Sequence, residues 1–117
     1  MGRQKAVIVL EQLIYEKNPQ VQFKLQAGQV IIIRPQNHWI QRTLRRLHVK
    51  IPLETQLELD DYGSFVFRHV NGKRSVHQIG QALAGQYDEA GEYLYERLLV
   101  YLNHLEHTEH LIRRVTD

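Results

Sequence analysis

The sequence contains no cysteine. That absence excludes disulfide scaffolds, thiolate-bound zinc, iron–sulfur clusters and cysteine nucleophiles together. Proline is scarce, and its three copies are scattered rather than gathered into a linker; no internal repeat or low-complexity segment interrupts the chain. Long apolar runs are missing too, since the longest, Ala6 to Leu10 and Val30 to Ile33, fall far below the ~20 residues of a spanning helix. The opening Met-Gly-Arg-Gln-Lys leads to Glu11 and Gln12 rather than to a long apolar stretch ending in small residues. No secretory signal is read there, and the cytoplasm is the expected address. A Gly-rich phosphate loop, a nucleophile with its base and a cofactor fingerprint are also lacking, so neither catalysis nor a cofactor is expected.

What is there is the balance of a soluble globular protein: 117 residues, 43% hydrophobic and 24% charged. A chain of this length buries ~65% of its unfolded surface on folding, and one domain over residues 1–117 is the expectation. The net charge of +2 is unevenly spread. Arg34, Arg42, Arg45, Arg46 and Lys50 stand without an acid from 34 to 50, and Glu54, Glu58, Asp60 and Asp61 follow without a base from 51 to 61. A basic element therefore feeds into an acidic one, which favours a charged partner.

Apolar spacing at Val7, Leu10, Leu13 and Ile14 predicts a short N-terminal helix over 6–16, stopped by Asn18-Pro19. Val21, Phe23 and Leu25 alternate with Gln22, Lys24 and Gln26; Ala27-Gly28 supplies a turn and Val30 to Ile33 a second strand, so a β-hairpin is expected. Asn37 can cap a short basic amphipathic helix, an insert over 37–48 with Ile40, Leu44 and Leu47 on one stripe and the arginines away from it. A third strand follows, with Ile51, Leu53, Leu57 and Leu59 on one face and Pro52, Glu54, Gln56 and Glu58 on the other. Pro52 there points to one side without a full ladder. Asp60 caps a helix burying Phe65, Val66 and Val70 and ending at Asn71-Gly72. Ser75 to Gln78 reads as a capping box for a helix from Val76 to about Tyr87, burying Val76, Ile79, Ala82 and Leu83. A last helix spans about Glu92 to His107, and Leu111-Ile112 closes the core as a short extended piece.

The residues Leu59-Asp60-Asp61-Tyr62-Gly63-Ser64-Phe65-Val66-Phe67, then Asn71-Gly72-Lys73-Arg74-Ser75-Val76 and Ile79, resemble the PqqD-like family. Leu83, Tyr87-Asp88, Tyr101-Leu102, Leu105 and Leu111-Ile112 continue the pattern, so the resemblance covers roughly Asn18 to Val115. It implies an α+β, winged-helix-like fold: a three-stranded antiparallel β-sheet followed by a three-helix bundle. It also implies a peptide chaperone of modified-peptide biosynthesis. Such proteins bind a leader peptide as a strand added beside the third strand, in a groove walled by the last helix. They present it to a partner enzyme, often a radical S-adenosylmethionine protein. The N-terminal helix and the basic insert depart from the shortest members.

At 100° per residue the last helix puts Leu94, Leu98, Leu102 and Leu105, flanked by Tyr95 and Tyr101, on a core stripe. A second stripe carries Tyr93, Arg97, Val100 and His104 with Tyr101 at its border, where a plain surface helix would show Glu and Lys. These residues and the strand positions Thr55, Gln56, Leu57, Glu58 and Leu59 form the expected peptide site. Packing of the stripe on the N-terminal helix or in a dimer is the competing reading. Trp39, Arg42, Arg45 and Arg46 are expected to face the partner. About five ladder hydrogen bonds at ~1 kcal/mol each fall short of the ~8 kcal/mol that micromolar binding requires, so one or two apolar anchors at ~1.5–3 kcal/mol must supply the rest.

His104, His107 and His110 recur at every third residue, but that spacing alone does not make a metal site, and none is assigned. Nucleic acid is disfavoured because the helix from Val76 to Tyr87 carries neither Lys nor Arg and ends toward Asp88 and Glu89. Glu54 and Glu58 read as a solvated strand face. A protein-interaction or dimerisation module without a precursor peptide remains the alternative, and an open edge also allows strand exchange in a homodimer.

Overall fold

Hydrophobic residues alternate with polar ones before Ala27-Gly28 and a β-branched run, Val30 to Ile33, follows it, and the backbone folds there into a two-strand ribbon. The computed structural model describes residues 9–35, 42, 46, 47, 54–87 and 93–115. Strands β1 (Tyr15–Lys17), β2 (Gln22–Gln26), β3 (Gln29–Pro35) and β4 (Glu54–Glu58) come first; helices α1 (Asp61–His69), α2 (Val76–Gln86) and α3 (Leu94–His107) follow, and β5 (Ile112–Arg114) ends the chain. The architecture is α+β; its named elements among the described residues are an antiparallel sheet in the order β2-β3-β4, a two-stranded antiparallel pair β1-β5, and three helices. The chain divides into two compact units, Gln20–Ser64 on one side and Met1–Pro19 with Phe65–Asp117 on the other.

In the first unit Ala27 and Gly28 both have positive φ, 53° and 83°, the geometry of a type I′ turn, whose twist matches that of the flanking strands. Gln26 therefore sits opposite Gln29, Leu25 opposite Val30 and Phe23 opposite Ile32. Opposed residues share a sheet face, so Phe23, Leu25, Val30, Ile32, Leu57 and Leu59 form one apolar face. Val30, Ile32 and Leu59 are buried, while Phe23 and Leu25 at the β2 side are exposed.

The second unit corrects the expected N-terminal helix over 6–16. Val9 and Leu10 are helical, but Tyr15–Lys17 is strand β1, paired with β5 so that Glu16 faces Arg113 and Lys17 faces Ile112. The spacing of Leu10, Leu13 and Ile14 is overridden by tertiary hydrogen bonding. Leu13 O accepts from Val76 N and Glu11 O from His77 N, both at 2.8 Å, which satisfies amides that the first turn of α2 cannot pair internally. Tyr15 O accepts from Gly72 N at 2.8 Å and Ile14 O from Val115 N at 2.9 Å. A helix would have spent those carbonyls on itself. Ala6 and Val7 lie outside the described residues.

The helix signals hold. Asp60 Oδ1 accepts from Gly63 N at 2.7 Å, and Gly72 ends the turn after α1 with a φ of 79°. The capping box at α2 closes both ways, Gln78 N donating to Ser75 Oγ at 3.2 Å and Ser75 N to Gln78 Oε1 at 2.9 Å. Val76, Ile79 and Leu83 are buried as expected, and Ala82 is half-buried. Leu94, Leu98, Leu102 and Leu105 are buried along α3. Phe67, absent from the expected core, is fully buried, and the Lys17 ammonium lies 5.0 Å from its ring centroid and donates to Val70 O. Burial, and to a lesser degree Arg74, holds the Lys17 ammonium below the usual lysine range.

One contact between α2 and α3 depends on the lack of a side chain. A methyl group at position 80 would overlap the Tyr95 ring, which also stacks on His77 with centroids 5.6 Å apart and donates from its hydroxyl to His77 O at 3.2 Å. Gly80→Ala is expected to destabilise by about 1–3 kcal/mol despite a helix-propensity gain of about 1 kcal/mol, and in a Tyr95→Ala background the same change stabilises. A double-mutant cycle by urea denaturation reads the difference; equal effects in both backgrounds would overturn the contact. Ala27 is not a residue that favours a left-handed backbone, so Ala27→Asn is expected to raise stability by about 0.5–1 kcal/mol, read as a higher denaturation midpoint at unchanged slope.

Candidate functional site

β4 lies at the edge of its sheet, paired with β3 on one side and with no strand on the other among the described residues. Which of its main-chain groups face outward follows from the hairpin. A two-residue turn closes on a hydrogen-bonded pair, Gln26 with Gln29, so Gln29, Ile31 and Ile33 direct their N–H and C=O toward β2. The intervening Val30, Ile32 and Arg34 direct theirs toward β4, where they oppose Leu59, Leu57 and Thr55. Leu59 N donates to Val30 O at 2.9 Å, in keeping with this phase. The main chain of Glu54, Gln56 and Glu58 therefore points away from β3.

The register thus divides the expected strand residues. Gln56 and Glu58 offer main-chain groups at the edge, and Glu54, outside the expected set, does the same. Thr55 and Leu57 turn theirs to β3 and Leu59 its N–H, and all three place their side chains on the apolar face. Leu57 is half-buried, Leu59 is buried, and the remaining β4 side chains are exposed. Ile51, Pro52 and Leu53 lie outside the described residues.

The inner end of this ladder is closed by a side chain outside the expected site residues. Val30 N donates not to a carbonyl but to Ser64 Oγ at 2.8 Å, and the same hydroxyl donates to Leu59 O at 3.2 Å. Ser64, buried to 2% exposure, thereby bridges two main-chain groups of neighbouring strands from within α1. Its signal in the sequence is faint: a hydroxyl one turn past a strand end, behind the Asp60 cap.

In the other unit the second stripe of α3 is exposed. Tyr93 is 67% and Val100 71% accessible, Arg97 and His104 are exposed, and Tyr101 is half-buried with its ring 6.4 Å from that of His104. Tyr93 precedes the helix as its cap and makes no side-chain capping bond. Of the residues expected to face a partner, Arg42 and Arg46 are exposed, and Trp39 and Arg45 lie outside the described residues. Leu47 of the same insert is 66% exposed, and Asn37, Ile40 and Leu44 lie outside the described residues.

His104 and His107 pair with carboxylates instead of converging: His104 Nε2 lies 3.6 Å from Glu109 Oε1 and His107 Nε2 3.2 Å from Glu106 Oε1. His110 stands beyond α3 with a φ of 57°. Among the described residues no group of three or more His, Asp or Glu side chains is arranged to hold a metal ion, and no helix is long and apolar enough to cross a membrane.

The family model of coenzyme PQQ synthesis protein D (PqqD) matches residues 48–111, more than half of the chain. The chain belongs to the PqqD family. Within this PqqD-family chain the matched stretch takes in β4 and all three helices, and leaves out the β2–β3 hairpin that the sequence resemblance also included. Comparison with curated proteins and with solved structures finds no match. The outward phase of Glu54, Gln56 and Glu58 thus lies inside the part that carries the PqqD signature.

Ser64→Ala strands the Val30 amide in a buried setting and is expected to cost about 1–3 kcal/mol. Hydrogen exchange checks it: the Val30 amide loses protection in the variant, whereas unchanged protection would show that the hydroxyl is dispensable.

Proposed function

We propose that this chain is a non-catalytic peptide chaperone that binds the leader segment of a precursor peptide by β-strand addition and presents it to a modifying enzyme of the radical S-adenosylmethionine type. The winged-helix-like arrangement, the three-helix bundle and a cytoplasmic site of action belong to the same reading. One observation carries it: β4 turns the main chain of Glu54, Gln56 and Glu58 to its open side, and an extended peptide can pair with those groups. Membership of a family described by coenzyme PQQ synthesis supports a role in biosynthesis rather than in nucleic-acid binding.

Energy decides what else the site needs. Outward groups on three residues make about five hydrogen bonds, ~5 kcal/mol, against ~8 kcal/mol for micromolar affinity. Apolar anchors must close the gap. Tyr93, Arg97, Val100 and His104 on the exposed stripe of α3, with half-buried Tyr101 at its border, are proposed as a peptide-contacting surface of their own unit. Arg42 and Arg46, with Trp39 and Arg45, are proposed to meet the enzyme.

The phase of β4 makes a sharp test. Gln56→Pro removes an outward amide and spares the ladder to β3, an edge position where proline is tolerated. It is expected to weaken leader-peptide binding at least ~10-fold while the fold survives, whereas Leu57→Pro breaks an inward bond and destabilises the sheet. Arg97→Glu and Val100→Asp are expected to abolish peptide binding with little change in melting temperature. Amide-shift mapping with candidate leader peptides gives the readout. Shifts on the α3 stripe without any on β4 would favour the alternative, a protein-interaction module that takes no added strand.

A further inference from the structure

The side chains that flank the outward main-chain groups of β4 are not neutral. Glu54, Gln56 and Glu58 project on one face of the sheet, and all three are exposed. Thr55, Leu57 and Leu59 project on the other, beside Ile32 and Val30. An added strand alternates in the same way, so every second residue of it meets the acidic row and the residues between meet the apolar row.

Among the described residues, other charges on the acidic face are few. Lys24 shares it, in the cross-strand row of Lys24, Ile31 and Glu58, and it stands two strands away from Glu58, roughly 10 Å at ordinary strand spacing. Arg34 opposes Thr55 and so belongs to the apolar face. Asp60, just past the strand, spends its Oδ1 on the amide of Gly63. Among the described residues, the charges along the edge strand itself are those of Glu54 and Glu58.

We propose that the strand accepted by β4 is amphipathic in this sense: Lys or Arg at positions four apart, opposite Glu54 and Glu58, with a polar residue between them opposite Gln56, and apolar residues at the alternate positions that extend the face of Leu57. This rests on the strand-addition reading and adds the sequence class of the ligand. Charge then selects the peptide and main-chain pairing holds it. Antiparallel and parallel addition both keep the alternation, so the pattern holds for either direction.

The experiment uses the full chain and two synthetic peptides of equal length, apolar at one alternating set of positions and carrying at the other either two lysines or two glutamates four apart. Fluorescence anisotropy at about 0.05 M and 0.5 M salt is expected to give the lysine peptide an advantage of about 2- to 30-fold that shrinks at the higher salt. Glu54→Lys with Glu58→Lys is expected to invert the preference, and Glu54→Gln with Glu58→Gln, a milder change at exposed positions, to erase it. Equal affinities with amide shifts along β4 would overturn the charge rule and leave strand addition standing. Binding without shifts on β4, or no binding of either peptide, would overturn both.

Discussion

The phase of one hydrogen-bond ladder governs everything assigned to the sheet. A two-residue turn with positive φ at Ala27 and Gly28 makes Gln26 and Gln29 a bonded pair, and the alternation of peptide groups carries that choice across β3 to β4. Were the β3–β4 register to slip by one residue, Glu58 would trade faces with Leu59 and carboxylates would enter the apolar layer. The burial of Val30, Ile32 and Leu59 prevents that slip. Ser64 adds a stop, since its hydroxyl links the amide of Val30 to the carbonyl of Leu59 and fixes where the ladder ends.

The second unit obeys a different constraint, the supply of partners for helix ends. The segment from Glu11 to Asn18 leaves the helical path, through a turn at Glu11-Gln12 and then the strand Tyr15–Lys17, and its carbonyls serve the first amides of α2 and the amide of Gly72, while Asn18 N reaches Leu111 O at 2.9 Å. Glu11 brings more than a carbonyl, since its Oε1 lies 3.2 Å from His77 Nδ1 at the start of α2, where negative charge suits the helix dipole. Lys17 takes the carbonyl of Val70 just past α1. Strand and helices in this unit are thus held through one another's unsatisfied groups as much as through the leucines of α3.

Local signals were legible in the sequence, and non-local ones were not. The hairpin turn, the Asp60 cap, the Ser75–Gln78 capping box and the leucine stripe of α3 each depend on residues within a few positions of one another, and each appears as read. The residues before β1 have helical apolar spacing, while the partner that makes β1 a strand, Ile112–Arg114, lies roughly a hundred residues away in sequence. Phe23 and Leu25 alternate with polar residues as the apolar face of a strand does, yet their side chains are exposed, a distinction that alternation does not carry. The candidate strand Thr55 to Leu59 was legible as a strand; that only its alternate residues face outward required the register. Gly80 and Ser64 look ordinary in sequence, and their roles come from Tyr95 and Val30, partners distant along the chain.

An open strand edge is also a hazard, because any similar strand can occupy it, above all the same strand of another copy. Here the order Glu54, Gln56, Glu58 is its own safeguard. Antiparallel self-pairing about Gln56 would bring Glu54 of each molecule against Glu58 of the other, two like-charged pairs without a compensating cation between them. The acidic residues thus discourage mutual capping of identical edges.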